Sequence, residues 1–208
     1  MIAIICKVCN KHSNVSFSYK MIMSFSLSPQ LVIRRYLPDD KYSVMMLEAE
    51  AFYDHHPHEY IQFYEVFLDG FFVCTIGQDV VGFIVGYALS ESEGHIFSLA
   101  VGKHYRNQGI AERLIDHICT YFLLKGLQRA SLEVRISNTP AIRLYTKLGF
   151  LTVWVESKYY SDGEDGYVMM VNLNSYFFKK EQTKIFGIDR NGKKKRQDEK
   201  DKNFQNMN

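Results

Sequence analysis

The chain has 208 residues, of which 47% are hydrophobic and 23% charged, with four cysteines and a formal net charge of +2. This composition excludes a collagen, a disordered chain and a disulfide-stapled miniprotein, and at ~150 residues per domain the length suits one domain with extensions. The near-zero total hides a division: residues 31–178 hold 12 Lys and Arg against 18 Asp and Glu, a net of −6, while residues 1–30 carry +3 and residues 179–208 carry +5. An acidic body between basic ends suits ends that are simply solvated or ends that touch a polyanion.

Residues 1–30 show no sustained period. The apolar run Ile2–Cys6 stops at Lys7, short of the ~7–15 apolar residues of a signal peptide. Met21 and Met23 stand just before the first convincing strand and offer alternative starts. Cys6-x-x-Cys9 with His12 lacks a second ligand pair, so no metal is expected. The longest apolar attempt, Phe71–Leu89, is broken by Gln78 and Asp79 and falls short of the ~18 residues of a membrane span. The expectation is a cytoplasmic protein with no membrane contact.

Leu31–Tyr36 alternates like a strand, and Pro38-Asp39-Asp40 opens a helix with acids in its first turn, where the helix dipole favours them. Helical spacing continues to residue 53. A connection rich in His and aromatics (Phe52–Tyr60) leads to a short helix near 60–69, and Phe71–Ile76 with Val80–Ala88 reads as a hairpin. His55, His56 and His58 lack any ligand spacing. His95–Val101 is a strand, Ala111–Lys125 an amphipathic helix and Ala130–Ile136 another strand. Ser137–Pro140 starts a helix that runs Ala141–Lys147 and stops at Gly149, and strands near 150–159 and 166–173 close the series. Cys74 and Cys119 fall inside regular elements, where a free thiol serves as a small hydrophobe. The order is that of a mixed α/β or α+β layer. The expected division is a poorly structured extension over 1–30, one domain over 31–178, and a Lys-rich tail over 179–208 that is solvated or drawn to RNA, for example at a ribosome surface.

The segment Val101-Gly102-Lys103-His104-Tyr105-Arg106-Asn107-Gln108-Gly109-Ile110-Ala111 joins a strand to a helix. Gly109 and Ala111 keep side chains short, so consecutive N–H groups and the helix dipole can converge on an anion. The segment has neither the Gly-Lys-Ser/Thr ending of a Walker A loop nor the spacing of a dinucleotide fingerprint.

Arg106-x-x-Gly109-x-Ala111 resembles the R/Q-x-x-G-x-G/A signature of the GNAT N-acetyltransferase superfamily. Leu132-Glu133-Val134-Arg135 with Ser137-Asn138, Ala141-Ile142, Leu144-Tyr145 and Gly149-Phe150 resembles a segment of its RimI-like protein N-terminal acetyltransferase branch. Tyr159-Tyr160-Ser161-Asp162-Gly163-Glu164-Asp165 resembles that branch's tyrosine pair and acidic turn. Lys103 departs from the usual Pro, and Ala111 takes the rarer option. The resemblance spans about 31–173. It implies a GNAT fold, in which a mixed, mostly antiparallel sheet has helices on both faces and its fourth and fifth strands splay around acetyl-CoA. It further implies pantetheine contacts at Leu99, Ala100 and Val101, pyrophosphate contacts along Arg106, Asn107, Gln108, Gly109, Ile110, Ala111 and Glu112, a CoA contact at Asn138 and a hydroxyl at the sulfur from Tyr145.

Transfer to an amine asks for a proton acceptor and for a donor to the leaving thiolate. Glu133 is the candidate acceptor, although it could pair with Arg135 or Arg143 instead. Tyr145 is the candidate donor, although it could be a core aromatic. Phe52, Tyr53, Tyr159 and Tyr160 are expected to flank the substrate, and His95 is a candidate substrate contact or second base. The activity implied is acetylation of protein N-termini, ribosomal or nascent, without DNA or metal. The alternatives are a small-molecule amine or antibiotic acetyltransferase, a silent CoA-binding module, and an RNA-associated protein dominated by its ends.

Overall fold

Alternation along Phe71–Ile76 decides which side of a sheet each residue serves. Phe71 and Val73 enter one buried cluster, and Phe72 and Cys74 enter another on the opposite face. The computed structural model describes residues 30–52 and 56–186. Residues 1–29, 53–55 and 187–208 lie outside these, among them Tyr53, His55, the Cys6–Cys9 pair and the basic run at Lys193.

The strands are β1 (Leu31–Arg35), β2 (Phe71–Ile76), β3 (Asp79–Ala88), β4 (Glu93–Val101), β5 (Arg129–Arg135), β6 (Leu151–Glu156) and β7 (Gly166–Asn172). The helices are α1 (Lys41–Ala51), α2 (Pro57–Glu65), α3 (Ile110–Leu124), α4 (Thr139–Leu148) and α5 (Leu173–Phe186). They form one seven-stranded sheet ordered β1-β2-β3-β4-β5-β7-β6, antiparallel except at β4–β5. Helices α1 and α2 cover one face through Val44, Leu47, Ile61 and Tyr64. On the other face lie α3, through Leu114, Ile115, Ile118 and Phe122, and α4, through Tyr145 and Leu148. The two-faced mixed layer expected from the motifs is the observed architecture.

Three local readings change. Asp40 stands directly before α1, as expected, but its carboxylate is also held from outside that helix. It sits in the short 3₁₀ turn Pro38–Asp40, where Arg34 grips its carboxylate at 2.6 and 2.8 Å and the Leu37 N–H donates at 2.8 Å. Burial opposes its charge, but these donors prevail and hold the carboxyl below its ordinary value. The folded form therefore favours ionised Asp40, and its contribution is full above the ordinary carboxylate range and lost as pH falls through the lowered folded value. Asp40→Ala should cost about 1–2 kcal/mol in urea unfolding at pH 7, and less than that at pH 3.

The second helix begins at Pro57 rather than near 60, because the fixed φ of proline suits a first helical position. The third change concerns the domain boundary expected at 178, which falls inside α5. Leu173 and Tyr176 of α5 are buried against α3, and Tyr176 Oη and Lys180 Nζ both engage Asp116 of α3. That docking carries the chain past its expected end.

Two irregularities shape the centre of the sheet. Between β3 and β4 the register passes from Val85–Ser98 to Gly86–Ile96, so Phe97 is an extra residue on β4, a bulge that bends the strand. Then β4 and β5 pair only at Glu93–Arg129, Gly94–Ala130 and His95–Ser131. Both strands run on, to Val101 and Arg135, but apart. The wedge between them opens at His95 and Ser131.

Candidate active site

The backbone of β4 lines one wall of the wedge. Gly102 N–H donates to Val81 O of β3 at 3.0 Å. In an antiparallel strand the backbone groups of successive residues face alternate sides. Ala100 therefore also turns toward β3, with its methyl packed in the cluster under α1 and α2. Leu99 and Val101 point their backbone groups into the wedge. Of these, Val101 O already accepts from Arg106 Nε at 3.0 Å.

Past Val101 the chain turns through Lys103–Tyr105 and enters α3 at Gly109. Asn107 (φ 62°) and Gly109 (φ 78°) both hold left-handed backbone, which Asn tolerates and Gly adopts freely. A Cβ on Gly109 would have nothing within 4 Å, so the space beside this residue at the start of α3 is open. The first-turn N–H groups of α3 have no intrahelical acceptor. Ile110 is buried, so only its backbone can serve an anion there. Glu112 is turned away from the cradle by Lys147 of α4 at 2.7 Å, a brace across the wedge. Glu50 at the end of α1 accepts from Lys103 N–H at 2.6 Å and lies 3.7 Å from Arg106. Gln108 Nε2 donates to His104 O at 3.2 Å. Asn138 Oδ1 caps α4 through Ala141 N–H, which leaves its amide N–H groups as donors.

Period-two alternation also sorts β5. Ala130, Leu132 and Val134 enter the core on the α3 side, so Ser131, Glu133 and Arg135 face the α1–α2 side. On that side Glu133 Oε2 lies 3.2 Å from His95 Nε2 and accepts from Tyr159 Oη at 3.2 Å. Burial pushes the His95 pKa below its ordinary value, against the opposing pull of the Glu133 and Glu93 carboxylates. Burial also pushes the Tyr159 hydroxyl well up, with Glu133 adding to it. Tyr145 belongs to the opposite face, in the α4 part of the core beside Phe150. Its hydroxyl engages no hydrogen-bond partner among the described residues, and burial raises its pKa far enough to keep it protonated.

The loop before β7 is held by its acids. Arg135 binds Asp162 at 2.8 Å and Glu164 at 2.9 Å and lies 3.9 Å from the ring centre of Tyr160. Glu164 also accepts from Ser137 N–H, and Asp165 from Lys158 N–H, each at 2.8 Å. Tyr159 packs directly on Gly166, where a Cβ would meet its ring at 3.3 Å. Glu59, Tyr60, Phe63 and Phe97 line a cleft of about 290 Å³, and the Phe97 ring lies 6.4 Å from that of His95. Phe52 ends α1 half-buried against the same apolar cluster.

Comparison with known proteins gives a common answer. The model of the acetyltransferase (GNAT) family matches residues 39–150. An N-alpha-acetyltransferase of Sulfurisphaera tokodaii is 38% identical over 129 residues, which is 55% of this chain and 74% of that protein. The crystal structure of Ard1 from Thermoplasma volcanium superposes with a TM-score of 0.65 at 30% identity, over 68% of this chain and 97% of that one. The ribosomal-protein-S18-alanine N-acetyltransferase of Escherichia coli does so at 0.59 and 25%, over 69% and 94%. The chain belongs to the GNAT acetyltransferase family.

This GNAT enzyme has an architecture that fits acetyl-CoA. The open β4 edge would hold the pantetheine, and the Gly109 cradle with its uncapped helix start would hold the pyrophosphate. Arg106 lies half-exposed at the rim of the cradle. No group of three or more His, Cys, Asp or Glu side chains that could hold a metal occurs among the described residues. The structure brings Glu133, His95 and Tyr159 together directly. Tyr160 joins them through an edge-to-face contact with the Tyr159 ring at 5.0 Å between centres, and Tyr145 lies on the other face of the sheet. The sequence did not single out Glu93, Ser131, Phe97 or Phe63, although Tyr60 of the cleft lies in the Phe52–Tyr60 connection expected to flank the substrate. The polar series Arg129, Ser131, Glu133, Arg135 at strand spacing was the available signal for the second of these.

If Arg135 positions the tyrosine loop, Arg135→Leu should raise the KM for a peptide substrate roughly tenfold, the effect of losing one well-placed hydrogen-bonding contact. Acetyl-CoA affinity should be unchanged, as read by steady-state kinetics with each substrate varied in turn.

Proposed function

We propose that this GNAT enzyme is an Nα-acetyltransferase, which uses acetyl-CoA to acetylate the N-terminal amine of ribosomal or nascent protein chains in the cytoplasm. The observation that carries this reading is the pair Glu133–His95, with Tyr159 on the same carboxylate, at the mouth of the β4–β5 wedge. The name of the Sulfurisphaera relative supports it, as do the contact of Tyr159 with Glu133 and the cleft that Phe97 lines next to His95. No described helix is long and apolar enough to cross a membrane. The basic charge of residues 1–30 and 179–208 supports a ribosome contact for the ends.

Bound acetyl-CoA supplies a thioester carbonyl and a thiol leaving group. The incoming amine must lose a proton to attack, and the Glu133–His95 pair stands where that proton is released. An N-terminal amine with pKa near ~8 surrenders it more readily than a lysine near ~10.4. Tyr145 keeps its proton because burial raises its pKa, so its part is to donate a hydrogen bond to the developing thiolate rather than to transfer the proton outright. The transfer is direct. Burial pushes the thiol of Cys74 up to about 11, and that of Cys119 well above its ordinary value, so neither is a thiolate nucleophile at neutral pH.

The test offers the full-length protein acetyl-CoA with peptides that differ at their first residue, alongside free lysine and polyamines. Acetylation of peptide α-amines upholds the reading. Turnover confined to small amines replaces it with a small-molecule acetyltransferase, and acetyl-CoA binding without turnover replaces it with a silent CoA-binding module.

A further inference from the structure

Along β4 the Glu133–His95 pair is followed by a wall of aromatic rings, and the bulge is what puts it there. Phe97 is the extra residue where the register passes from Val85–Ser98 to Gly86–Ile96, and a bulge re-aims the side chain it inserts. Phe97 packs with the cluster under α1 and α2, while Ser98, the next residue, reaches Tyr64 of α2. Phe97 therefore shares the α1–α2 face with His95. Its ring centre stands 6.4 Å from that of His95, 4.8 Å from that of Phe63 and 6.4 Å from that of Tyr60. Tyr87 of β3 links the series, 5.3 Å from His95 and 6.3 Å from Phe97. Ring by ring, the wall leads from the proton-accepting pair to α2.

The cleft of about 290 Å³ between Glu59, Tyr60, Phe63 and Phe97 lies on this wall. Phe63 remains 41% exposed there, an aromatic ring left to water close to the reacting groups. Among the described lining residues Glu59 alone is charged, and it is exposed. Three rings and one acid narrow the choice of occupant. Burial against the rings favours an apolar side chain, and Glu59 opposes a carboxylate.

The position of the amine decides which side chain arrives. In an N-terminal substrate the amine and the first side chain leave the same Cα. With the amine at Glu133–His95, the first side chain is the part of the substrate beside Phe97. Alanine and serine stop short of the cleft, whereas a long side chain passes along Tyr87 and Phe97 into it. Methionine suits this path, since it bends through three rotatable bonds and its sulfur gains from contact with aromatic rings.

We propose that this cleft receives the first side chain of the acetylated protein and selects a long apolar residue, methionine foremost, with Phe97 and Phe63 as specificity-determining residues. The preferred substrates are then nascent chains that keep their initiating methionine. The proposal rests on the Nα-acetyltransferase reading and adds which N-termini are taken.

The test measures kcat/KM of the full-length protein at saturating acetyl-CoA, with peptides identical except for a first residue of Met, Leu, Ala, Ser, Glu or Lys. Met should exceed Ala and Ser by roughly tenfold or more, the range that filling an apolar pocket supplies, with Leu next and Glu lowest. Phe97→Ala should cut the Met-to-Ala ratio roughly tenfold, while Phe97→Leu, which keeps an apolar wall, should retain most of it. Phe63→Ala changes a partly exposed position of α2, so it tests the cleft without a defect in the core, and it should cut the ratio as well. Thermal unfolding checks that each variant is folded. A wild-type ratio near one, a preference for Ala, Ser, Glu or Lys, or a ratio untouched by both Phe97→Ala and Phe63→Ala overturns the proposal and leaves the Nα reading standing. Absence of turnover on every peptide sinks the Nα reading and this selection with it.

Discussion

Glu133→Gln should lower kcat by about 10²- to 10³-fold at pH 7, the range observed when a positioned general base is lost. The substitution keeps the shape and an oxygen that accepts from Tyr159, so the loop before β7 stays in place. What disappears is the charge 3.2 Å from His95 Nε2. The pH dependence separates proton acceptance from mere packing. Above pH ~8 an N-terminal amine loses its proton to water unaided, so the deficit of the variant should narrow by pH 9. The effect on His95 has a definite sign as well. Glu133 raises the pKa of that imidazole against the larger effect of burial, so without the carboxylate His95 falls further and stays neutral throughout the neutral range. A deficit that is constant from pH 6 to 9 would mean that Glu133 holds the site together and takes no proton. The KM for acetyl-CoA should not move, because the cradle belongs to other residues.

The same carboxylate shows why part of the site could be read from the chain and part could not. Glu133 was legible because Leu132 and Val134 are apolar at alternate positions, which forces the residue between them to the other face. Gly109 was legible because a strand-to-helix turn that must expose its N–H groups needs short side chains, and Asn107 entered only with the motif that resembles the GNAT signature. Glu93 and Ser131 were not, since 38 positions separate partners joined by a 2.7 Å hydrogen bond. Only the register of the parallel β4–β5 ladder brings them together, and local patterning does not encode which rung meets which. The partner of Asp40 was missed for a related reason. A carboxylate near a helix start has a generic explanation, and its actual partner, Arg34, belongs to the preceding strand. The reach of α5 was hidden by its composition. Leu173 and Tyr176 are its apolar anchors, and the remaining grip comes from Tyr176 and Lys180 meeting one acid on α3. A polar segment of that kind resembles a solvated tail until its docking partner is known. The seven strands themselves, by contrast, could be placed from local patterning, while their order in the sheet was implied only by the resemblance to the GNAT superfamily.

The second large effect is expected at the cradle. Gly109→Val should destabilise the protein by about 1–2 kcal/mol and weaken acetyl-CoA binding at least tenfold. The first part follows from backbone alone: φ is +78° at this position, and a residue with a Cβ, above all a branched one, resists left-handed geometry. No neighbour lies within 4 Å of the new Cβ, so steric contact in the free protein adds nothing. The second part follows from where Gly109 is. It is the residue that leads into the first turn of α3, whose N–H groups a pyrophosphate must approach closely to reach. The two effects come apart in Gly109→Asn. Asparagine tolerates left-handed backbone, as Asn107 does two residues earlier, so this variant should melt close to wild type. It nonetheless adds a side chain at the N-cap of α3, and its KM for acetyl-CoA should rise about tenfold while the KM for peptide holds. Thermal unfolding and substrate-varied kinetics on the two variants therefore separate backbone strain from occupancy. Unchanged acetyl-CoA affinity in both would remove the cradle from the binding site, because a side chain added at the N-cap of α3 crowds the approach of a phosphate to the N–H groups that follow it.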